Sequence, residues 1–320
     1  MTDERFVLAL AGGVGGGKFC RGLTAMLPQD KLAVVVNTAD DVVHLGLHIS
    51  PDVDSVLYAL ADRNDPERGW GLAGETWNFM AALERLGGQT WFKLGDRDLA
   101  THILRTEALA AGRTLSEVTA LLARRLDVAH TVLPMTDDAV RSIVETDEGA
   151  LDFQDYFVRR QCKPEFRGVT FQGAEAAEPS AGLRDALTRA QAIVITPSNP
   201  FVSIDPILAL PGIKGALRQS QRPVVAVSPI VGGKAVKGPL GKMMGELGVE
   251  PSALGVVRHY GRLVDGWIVD TVDTALAPAI EAQGCQVKVC NTIMRTLDDK
   301  ARLAQDAVEF AFEVSHEPVS

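Results

Sequence analysis

A hydrophobic run that leads directly into five closely spaced glycines constrains the fold of this chain more than any other feature. Residues 6–11 read Phe-Val-Leu-Ala-Leu-Ala, and the glycines are Gly12, Gly13, Gly15, Gly16 and Gly17. Glycine permits positive φ and has no Cβ, so successive backbone amides can turn toward one anion. We expect a buried strand, a phosphate-binding turn, and a helix over residues 18–27 whose positive N-terminal end faces the same anion.

Two known phosphate-binding motifs are each incomplete here. Gly12, Gly17 and Lys18 satisfy G-x-x-x-x-G-K, but Phe19 stands where a P-loop has the Ser or Thr that holds magnesium. The dinucleotide-binding fingerprint also fails, because Lys18 occupies the position of its third glycine. The sequence therefore predicts phosphate binding by backbone amides, with any metal held by residues elsewhere. The structural alternative is a glycine-rich turn that binds nothing.

The overall composition is that of a globular protein. The chain has 320 residues, 46% hydrophobic and 23% charged, which allows either two average domains or one large α/β domain. A net charge of −9 argues against a nucleic-acid partner. The four cysteines form no C-x-x-C pair and residues 1–5 lack the basic start of an export signal, so we expect a reduced, cytoplasmic protein. The apolar runs are too short to span a membrane, which needs about 20 residues.

The spacing of apolar runs predicts a Rossmann-like, three-layer, doubly wound α/β fold with a mainly parallel sheet. Residues 32–37 form a second strand after a helix-length interval, which completes a right-handed βαβ unit covered on both faces. Further strands are predicted at residues 192–196, 223–227, 254–257, 267–269 and 286–289, with a closing helix at 298–312.

Residues 62–173 differ in pattern and are predicted to form an insertion within a single domain spanning residues 1–320. Helices are expected at 76–86, 98–111 and 115–126, followed by short strands at 131–134, 141–145 and 167–171. The insertion also carries a group of aromatic residues that serves either as core or as a ligand platform: Trp70, Trp77, Phe79 and Trp91. We expect the insertion to cover the ligand site beside the glycine segment.

Four carboxylates follow the second strand on two neighbouring loops. They are Asp40, Asp41, Asp52 and Asp54. Ligands of open α/β sheets bind beyond the carboxyl ends of the strands, so these acids should lie beside the glycine segment. Carboxylates so close together repel one another unless a cation separates them, and Mg2+ bridging a phosphate fits best. The alternative is that Asp52 or Asp54 only caps the helix that follows.

The segment 93–98, Lys-Leu-Gly-Asp-Arg-Asp, adds charged groups before a predicted helix. Lys93 and Arg97 either face a substrate phosphate or lie at the surface, and Asp98 is a candidate N-cap. The six histidines have no zinc-type spacing, and no G-x-S-x-G motif indicates a nucleophilic serine.

Six ordered motifs resemble those of the 2-phospho-L-lactate transferases, which build the side chain of the deazaflavin coenzyme F420. The motifs lie at residues 12–16, 35–41, 51–54, 93–102, 197–200 and 228–230. The resemblance implies a donor in which a three-carbon acid is linked to guanosine diphosphate. It also implies a 7,8-didemethyl-8-hydroxy-5-deazariboflavin acceptor that reacts through its ribityl hydroxyl, with release of GMP. Mg2+ is the implied cofactor, and no covalent enzyme intermediate is expected.

The resemblance also implies roles for individual residues. Asp54 and Lys93 would contact the deazaflavin, while Asp40 and Asp54 would lie near Mg2+ and act in catalysis, one of the two accepting the hydroxyl proton. Donor binding is assigned to Gly12, Gly13, Gly15, Gly16, Ser198, Asn199 and Ser228. A phosphate contact by Lys18 is inferred from its chemistry alone.

Three questions remain open at this point. A non-catalytic regulatory protein that binds nucleotide-sugars has the same fold, although segments 51–54 and 93–102 favour the transferase. A P-loop kinase is disfavoured by Phe19. The donor acid could be 2-phospholactate, phosphoenolpyruvate or 3-phosphoglycerate, since these differ by only a few atoms. Relatives suggest a homodimer.

Overall fold

The computed structural model describes residues 5–220 and 222–314. The first four residues, on which the export-signal argument partly depended, lie outside this part. The strands are β1 (Val7–Ala11), β2 (Leu32–Val36), β3 (Val42–His44), β4 (Leu47–Ile49), β5 (Thr131–Pro134), β6 (Arg141–Thr146), β7 (Gly149–Asp152), β8 (Phe166–Gln172), β9 (Ala192–Ile195), β10 (Val224–Val227), β11 (Ile230–Val231), β12 (Lys234–Ala235), β13 (Gly266–Asp270) and β14 (Gln286–Cys290).

The α-helices alternate with the strands of the central sheet. They are α1 (Gly13–Met26), α2 (Pro51–Leu60), α3 (Asn78–Arg85), α4 (Asp98–Ala110), α5 (Leu115–Arg125), α6 (Ala181–Arg189), α7 (Asp205–Ala209), α8 (Ile213–Gln219), α9 (Leu240–Glu246), α10 (Ala253–Tyr260), α11 (Ala277–Glu281) and α12 (Leu297–Glu313). Short 3-10 or π turns occupy Gln29–Lys31, Asp155–Arg159, Pro200–Ile204, Gly261–Leu263 and Thr271–Leu276.

Seven parallel strands form the central sheet in the order β14-β13-β10-β9-β1-β2-β5. The chain builds outward from β1 through β2 to β5, then returns to place β9 on the other side of β1. This is a doubly wound order, with its topological switch point between β1 and β9. The predicted Rossmann-like α/β fold is therefore confirmed, and the switch point marks the expected ligand crevice.

Alternate residues of the central strands supply two separate cores. Leu8 and Leu10 of β1 belong to the core under α6, α9 and α10, whereas Val7 and Ala9 belong to the core under α1, α2 and α12. Because both faces are covered, every residue of β1 is buried, which explains its uninterrupted apolar sequence. Helix α1 crosses α12 at Gly22, where a Cβ would overlap the backbone of Lys300. These contacts confirm the predicted arrangement of three layers, with helices on both faces of the sheet.

Four local predictions need correction. Helix α1 begins at Gly13, five residues before the predicted start at Lys18, so most of the glycines are helical. Residues 254–257 lie in α10 instead of a strand, because Ser252 caps the segment and its apolar side chains pack on one helix face. Helix α3 begins at Asn78, since the hydroxyl of Thr76 bonds Asp96 rather than a helix amide.

The fourth correction concerns β5. We placed residues 131–134 among the strands of the insertion, but β5 pairs in parallel with β2 and forms one edge of the central sheet. The three-stranded antiparallel sheet β7-β6-β8 is separate from it. The 62–173 segment is thus divided by a strand of the main fold, and its description as one covering insertion stays a prediction.

Within residues 5–220 and 222–314, no single helix has the length and apolar composition to cross a membrane. One sharply bent pair, Pro200–Ala209 with Ile213–Gln219, meets these two criteria together. Its apolar side chains, including those of Ile204 and Ile207, are buried in the protein core.

Candidate functional site

A cavity of about 770 Å3 opens at the carboxyl ends of the central strands, beside the switch point. Its wall combines the start of α1, the acidic loops, the segment before α4 and the turns after β9 and β10. The candidate site residues in this wall are Gly12, Gly13, Gly15, Lys18, Asp40, Asp54, Lys93, Ser198, Asn199 and Ser228. Gly16 is buried behind the wall and does not line the cavity.

The glycines of α1 are required mainly for close packing. A Cβ on Gly15 would lie 2.7 Å from the backbone oxygen of Pro197, and one on Gly16 would lie 2.6 Å from Oγ of Ser198. Within the run, only Gly13 has a positive φ, at +62°. The predicted turn of successive amides is therefore replaced by the first turn of a helix held tightly against the loop after β9. The N-terminal end of this helix still lies at the cavity and suits an anion, although the amide of Gly12 already donates to Ser198.

The three polar residues predicted to lie near a nucleotide each form hydrogen bonds within the protein. The hydroxyl of Ser198 donates a hydrogen bond to the backbone oxygen of Gly12 at 2.7 Å. It also accepts a hydrogen bond from the backbone amide of Gly12 at 3.2 Å. Asn199 caps the turn that begins at Pro200, and Ser228 donates to the oxygen of Ile230 at 2.9 Å. All three line the cavity, so they can fix its shape whether or not they also touch a ligand.

The acidic loops bring three buried carboxylates to the cavity. Asp40, Asp52 and Asp54 are between 4% and 8% exposed. Oδ1 of Asp40 has no hydrogen-bond partner among the described residues. Burial, and next the charge of Asp52, raise the pKa of Asp40 well above its usual range. Asp52 accepts a hydrogen bond from Asn37 at 3.0 Å, yet burial still raises its pKa to about 6. Among the described residues, neither carboxylate forms an ion pair with Lys, Arg or His.

Capping of α2 does not account for these acids. Helix α2 begins at Pro51, and its N-cap is Ser50, whose side chain bonds no helix amide. Ser50 instead donates to Asp41 at 2.6 Å. Asp52 and Asp54 lie inside the first turn, where a negative charge is favourable but where neither residue is the cap.

Asp54 is held by an arginine from a different helix. Arg105 of α4 is fully buried and donates from Nη1 to Oδ2 of Asp54 at 3.1 Å, while its Nη2 donates to Oδ1. The same guanidinium donates to the backbone oxygen of His48 at 3.4 Å. Asp54 is therefore oriented by a two-point ion pair, a stronger constraint than a single hydrogen bond.

The network continues from Arg105 to two more residues of α4 and one of α2. Nδ1 of His102 lies 3.7 Å from Asp54, and its Nε2 lies 3.5 Å from Asp98. Tyr58 donates to Asp98 at 2.5 Å. Asp98 was predicted to be the N-cap of α4, but the N-cap is Arg97. Asp98 is instead the first residue of the helix and part of this network.

This network also contains the only metal-type cluster found among the described residues. Single atoms of Asp54, Asp98 and His102 lie within 4.8 Å of one another. However, the guanidinium of Arg105 already bonds both oxygens of Asp54, and Tyr58 already donates to Asp98. Arg105 therefore supplies the positive charge that Asp54 needs. Asp40 and Asp52 have no such cationic partner among the described residues.

Aromatic side chains also line the cavity. Lys93 is exposed and follows Trp91 and Phe92, which line the cavity with it. Phe153 and Phe157 stack with ring centres 5.3 Å apart and line the same cavity. Of the four aromatic residues singled out from the sequence, Trp70 and Trp91 line the cavity, whereas Trp77 and Phe79 do not.

Sequence analysis missed several residues of this site. Arg105 lies three positions after His102 on the same helix, a spacing that places both on one face and that could have indicated their pairing. Gln154 donates to the backbone oxygen of Asp40 at 3.0 Å, and Lys237 reaches the cavity from a hairpin far along the chain. No local pattern distinguishes Gln154 or Lys237 from ordinary surface residues.

Known proteins are similar to this chain over nearly its whole length. A family model described as 2-phospho-L-lactate transferase CofD matches residues 7–305. A phosphoenolpyruvate transferase of Kitasatospora aureofaciens is 42% identical over 317 residues, covering 97% of this chain and 99% of that protein. A 2-phospho-L-lactate transferase of Methanosarcina mazei is 38% identical over 303 residues, covering 95% and 99%.

A solved structure supports the fold. A member of the UPF0052 family from Bacillus halodurans superposes with a TM-score of 0.64 at 16% identity, covering 96% of this chain and 100% of that one. At this identity the similarity concerns architecture alone. Because the family model spans residues 7–305 and the transferases align end to end, the chain belongs to the 2-phospho-L-lactate transferase CofD family.

Proposed function

We propose that this transferase moves a phosphorylated three-carbon acid from a guanosine diphosphate-linked donor to the ribityl hydroxyl of 7,8-didemethyl-8-hydroxy-5-deazariboflavin. GMP is released, and the product belongs to coenzyme F420 biosynthesis. The observation that carries the proposal is one cavity lined both by the N-terminus of α1 and by the buried Asp40, whose Oδ1 has no hydrogen-bond partner among the described residues. Relatives 41–43% identical are named phosphoenolpyruvate transferases, so we assign the phosphoenolpyruvyl type of donor acid.

Donor binding uses the crevice at the switch point. The N-terminus of α1, at Gly12, Gly13 and Gly15, receives a phosphate group of the donor. Lys18 lies one turn further along the same helix and lines the cavity, where its charge is favourable to the diphosphate of the donor. The turns that carry Ser198, Asn199 and Ser228 form the adjoining wall and bind the nucleotide portion.

The acidic residues fit a magnesium ion. Mg2+ is bound by oxygen ligands, commonly one or two carboxylates together with substrate phosphates. Asp40 has a buried oxygen without a partner and a neighbour, Asp52, of like charge. Asp40 is therefore the principal ligand that we propose, with Asp54 close by and oriented by Arg105. When bound, the ion supplies positive charge to the diphosphate and its leaving group.

The protein's own groups perform the remaining tasks. Trp91 and Lys93 form one side of the acceptor pocket, where a flat chromophore has both an aromatic surface and a cation. Arg105 fixes the carboxylate of Asp54, which orients the ribityl hydroxyl toward the donor phosphorus. Asp40 or Asp54 accepts the proton of that hydroxyl as the new phosphorus–oxygen bond forms. The departing nucleoside monophosphate stays at the N-terminus of α1.

The test is product formation from each candidate donor. The protein is incubated with magnesium, the deazaflavin and guanylylated phosphoenolpyruvate, 2-phospholactate or 3-phosphoglycerate, and the deazaflavins are separated by chromatography and weighed by mass spectrometry. We expect the phosphoenolpyruvyl product to form fastest. A faster reaction with either other acid would overturn the donor assignment. No product from any donor, together with tight binding of a nucleotide-sugar, would support the regulatory alternative.

Two further parts of the proposal are measured separately. We expect GDP and GMP to bind more tightly than ADP and AMP in calorimetry, and equal or tighter ADP binding would remove the guanosine assignment. A homodimer is proposed from the family resemblance, and light scattering of the purified protein tests it.

A further inference from the structure

We infer that Lys18 and Lys237 together form a binding subsite for the second phosphate group of a nucleoside diphosphate. This inference rests on the proposed function for the identity of the nucleotide, but the phosphate chemistry of the subsite is argued from the cations themselves. Lys237 lies 219 positions from Lys18 in the chain, in the segment that follows the β11–β12 hairpin.

The ammonium group of Lys237 is held in a fixed position. Its Nζ donates to the backbone oxygen of Arg68 at 2.9 Å. A Cβ on the next residue, Gly69, would overlap that Nζ and would lie 3.4 Å from Cγ1 of Val14. The segment around Gly69 thus brings the end of the Lys237 side chain against the first turn of α1. Gly69 has no side chain, which leaves room for the ammonium, and its φ of +79° also favours glycine at this position.

The two lysines share one side of the cavity and have no acidic partner. Both line the cavity, and no ion pair within the described ranges 5–220 and 222–314 involves either of them. Burial, and next the charge of Lys18, lower the pKa of Lys237. Two neighbouring ammonium groups repel each other, and an anion between them relieves that repulsion.

The position of the pair indicates which anion it receives. The start of α1 offers backbone amides to one phosphate, and these amides lie in the same wall as both lysines. A nucleoside diphosphate carries a second phosphate with additional negative charge, which needs further cations. Lys18 and Lys237 supply that charge from two separate segments, so the subsite is complete only in the folded protein.

The experiment compares Lys237→Gln with wild-type protein by calorimetry, using GDP, GMP and inorganic pyrophosphate as probes at one magnesium concentration. Charge-assisted hydrogen bonds to phosphate are about twice as strong as neutral ones, and losing one typically weakens binding about tenfold or more. We expect Lys237→Gln to weaken GDP and pyrophosphate binding by about that factor and to leave GMP binding within about twofold. Thermal unfolding of both proteins checks that the fold is retained.

Lys234→Gln is the matched control. Lys234 is an exposed lysine of the same hairpin that does not line the cavity, so its removal changes net charge equally without touching the subsite. Raising the salt concentration should weaken GDP binding to wild type more steeply than to Lys237→Gln, an effect that a purely structural Lys237 would not produce. Lys237→Arg should restore part of the affinity because it restores the charge.

The outcomes separate the subsite from the proposed function. Unchanged binding of GDP and pyrophosphate in Lys237→Gln overturns the subsite, even if the wild-type protein forms product. An equal loss of GMP and GDP affinity also overturns it, because the second phosphate would then play no part. If the wild-type protein forms no product but its pyrophosphate binding depends on Lys237, the proposed function fails and the subsite stands.

Discussion

Replacing Asp54 with Asn should lower both stability and turnover, and the structure explains why the two effects are separable. Asp54 is 4% exposed and Arg105 is fully buried, so the substitution leaves a buried guanidinium without its charged partner. Breaking such a pair typically costs about 3 to 5 kcal/mol. Asn keeps one carbonyl acceptor for Arg105, so we expect the lower end, about 3 kcal/mol.

This loss can be converted into a shift of the unfolding midpoint. Unfolding entropy is about 2.1 cal/mol/K per residue, or about 0.7 kcal/mol/K for a chain of 320 residues. A loss of about 3 kcal/mol therefore lowers the midpoint by about 4 °C. Calorimetric unfolding of the metal-free protein near pH 7 measures this shift of the midpoint.

Asp62→Asn is the control for this experiment. Asp62 also pairs with an arginine, Arg21, at 2.6 Å, but its side chain is 61% exposed. Exposed pairs contribute up to about 1 kcal/mol, so the midpoint should move by about 1 °C or less. Asp62 has φ of +53°, a conformation that Asn also tolerates, so backbone strain does not confuse the comparison.

Turnover of Asp54→Asn is measured well below both midpoints, where each protein is folded. We expect product formation to fall about a hundred- to thousand-fold, as when a charge-stabilising group is lost from the transition state. Near-normal turnover with a lowered midpoint would return Asp54 to a structural role. A midpoint no lower than that of Asp62→Asn would refute the ion-pair argument itself.

Three further predictions follow from individual residues. Asp40→Asn should raise the unfolding midpoint of the metal-free protein, because it removes a buried carboxylate that Asp52 repels, and should lower turnover about a hundred- to thousand-fold; an unchanged or lower midpoint would contradict this. Burial lowers the pKa of His48 to about 4, so below about pH 6.5 the unfolded chain binds a proton that the folded protein does not. The free energy of unfolding should therefore fall as the pH drops from about 6.5 to about 4. In His48→Gln, unfolding curves over this range should show that stability depends less on pH. Gly22→Ala should cost about 1 to 3 kcal/mol because its Cβ would overlap the backbone of α12, whereas Gly245→Ala, at an open helix position, should cost nothing; equal midpoints would argue against the close helix crossing.

The main fold was predictable because its signals are local. The apolar run of β1, the glycines after it and the second strand at residues 32–37 indicate a βαβ unit by pattern and spacing alone. The rule that ligands bind beyond the carboxyl ends of parallel strands then placed Asp40 and Gly12 beside one cavity, as observed. Family resemblance added the candidate chemistry, which spacing alone does not provide.

Local pattern failed where more than one structure satisfies the same residues. Residues 254–257 are apolar and β-branched in part, which suits a buried strand as well as a buried helix, and the cap at Ser252 decides for the helix. The glycines of α1 were expected to form an anion-binding turn. Gly15 and Gly16 instead permit close packing against Pro197 and Ser198, more than 180 positions away, and no sequence window contains that contact.

The sequence by itself determined the α/β class, the position of the ligand crevice and the set of carboxylates beside it. Only the tertiary structure decided how those carboxylates differ. Asp54 receives the buried guanidinium of Arg105 from 51 positions away, whereas Asp40 keeps an oxygen without any partner among the described residues. Lys237 likewise reaches Arg68 and the cavity from a distant hairpin. Periodicity reports which face of an element is buried, but charge pairing depends on which faces the fold brings together, and that is a property of the packed chain.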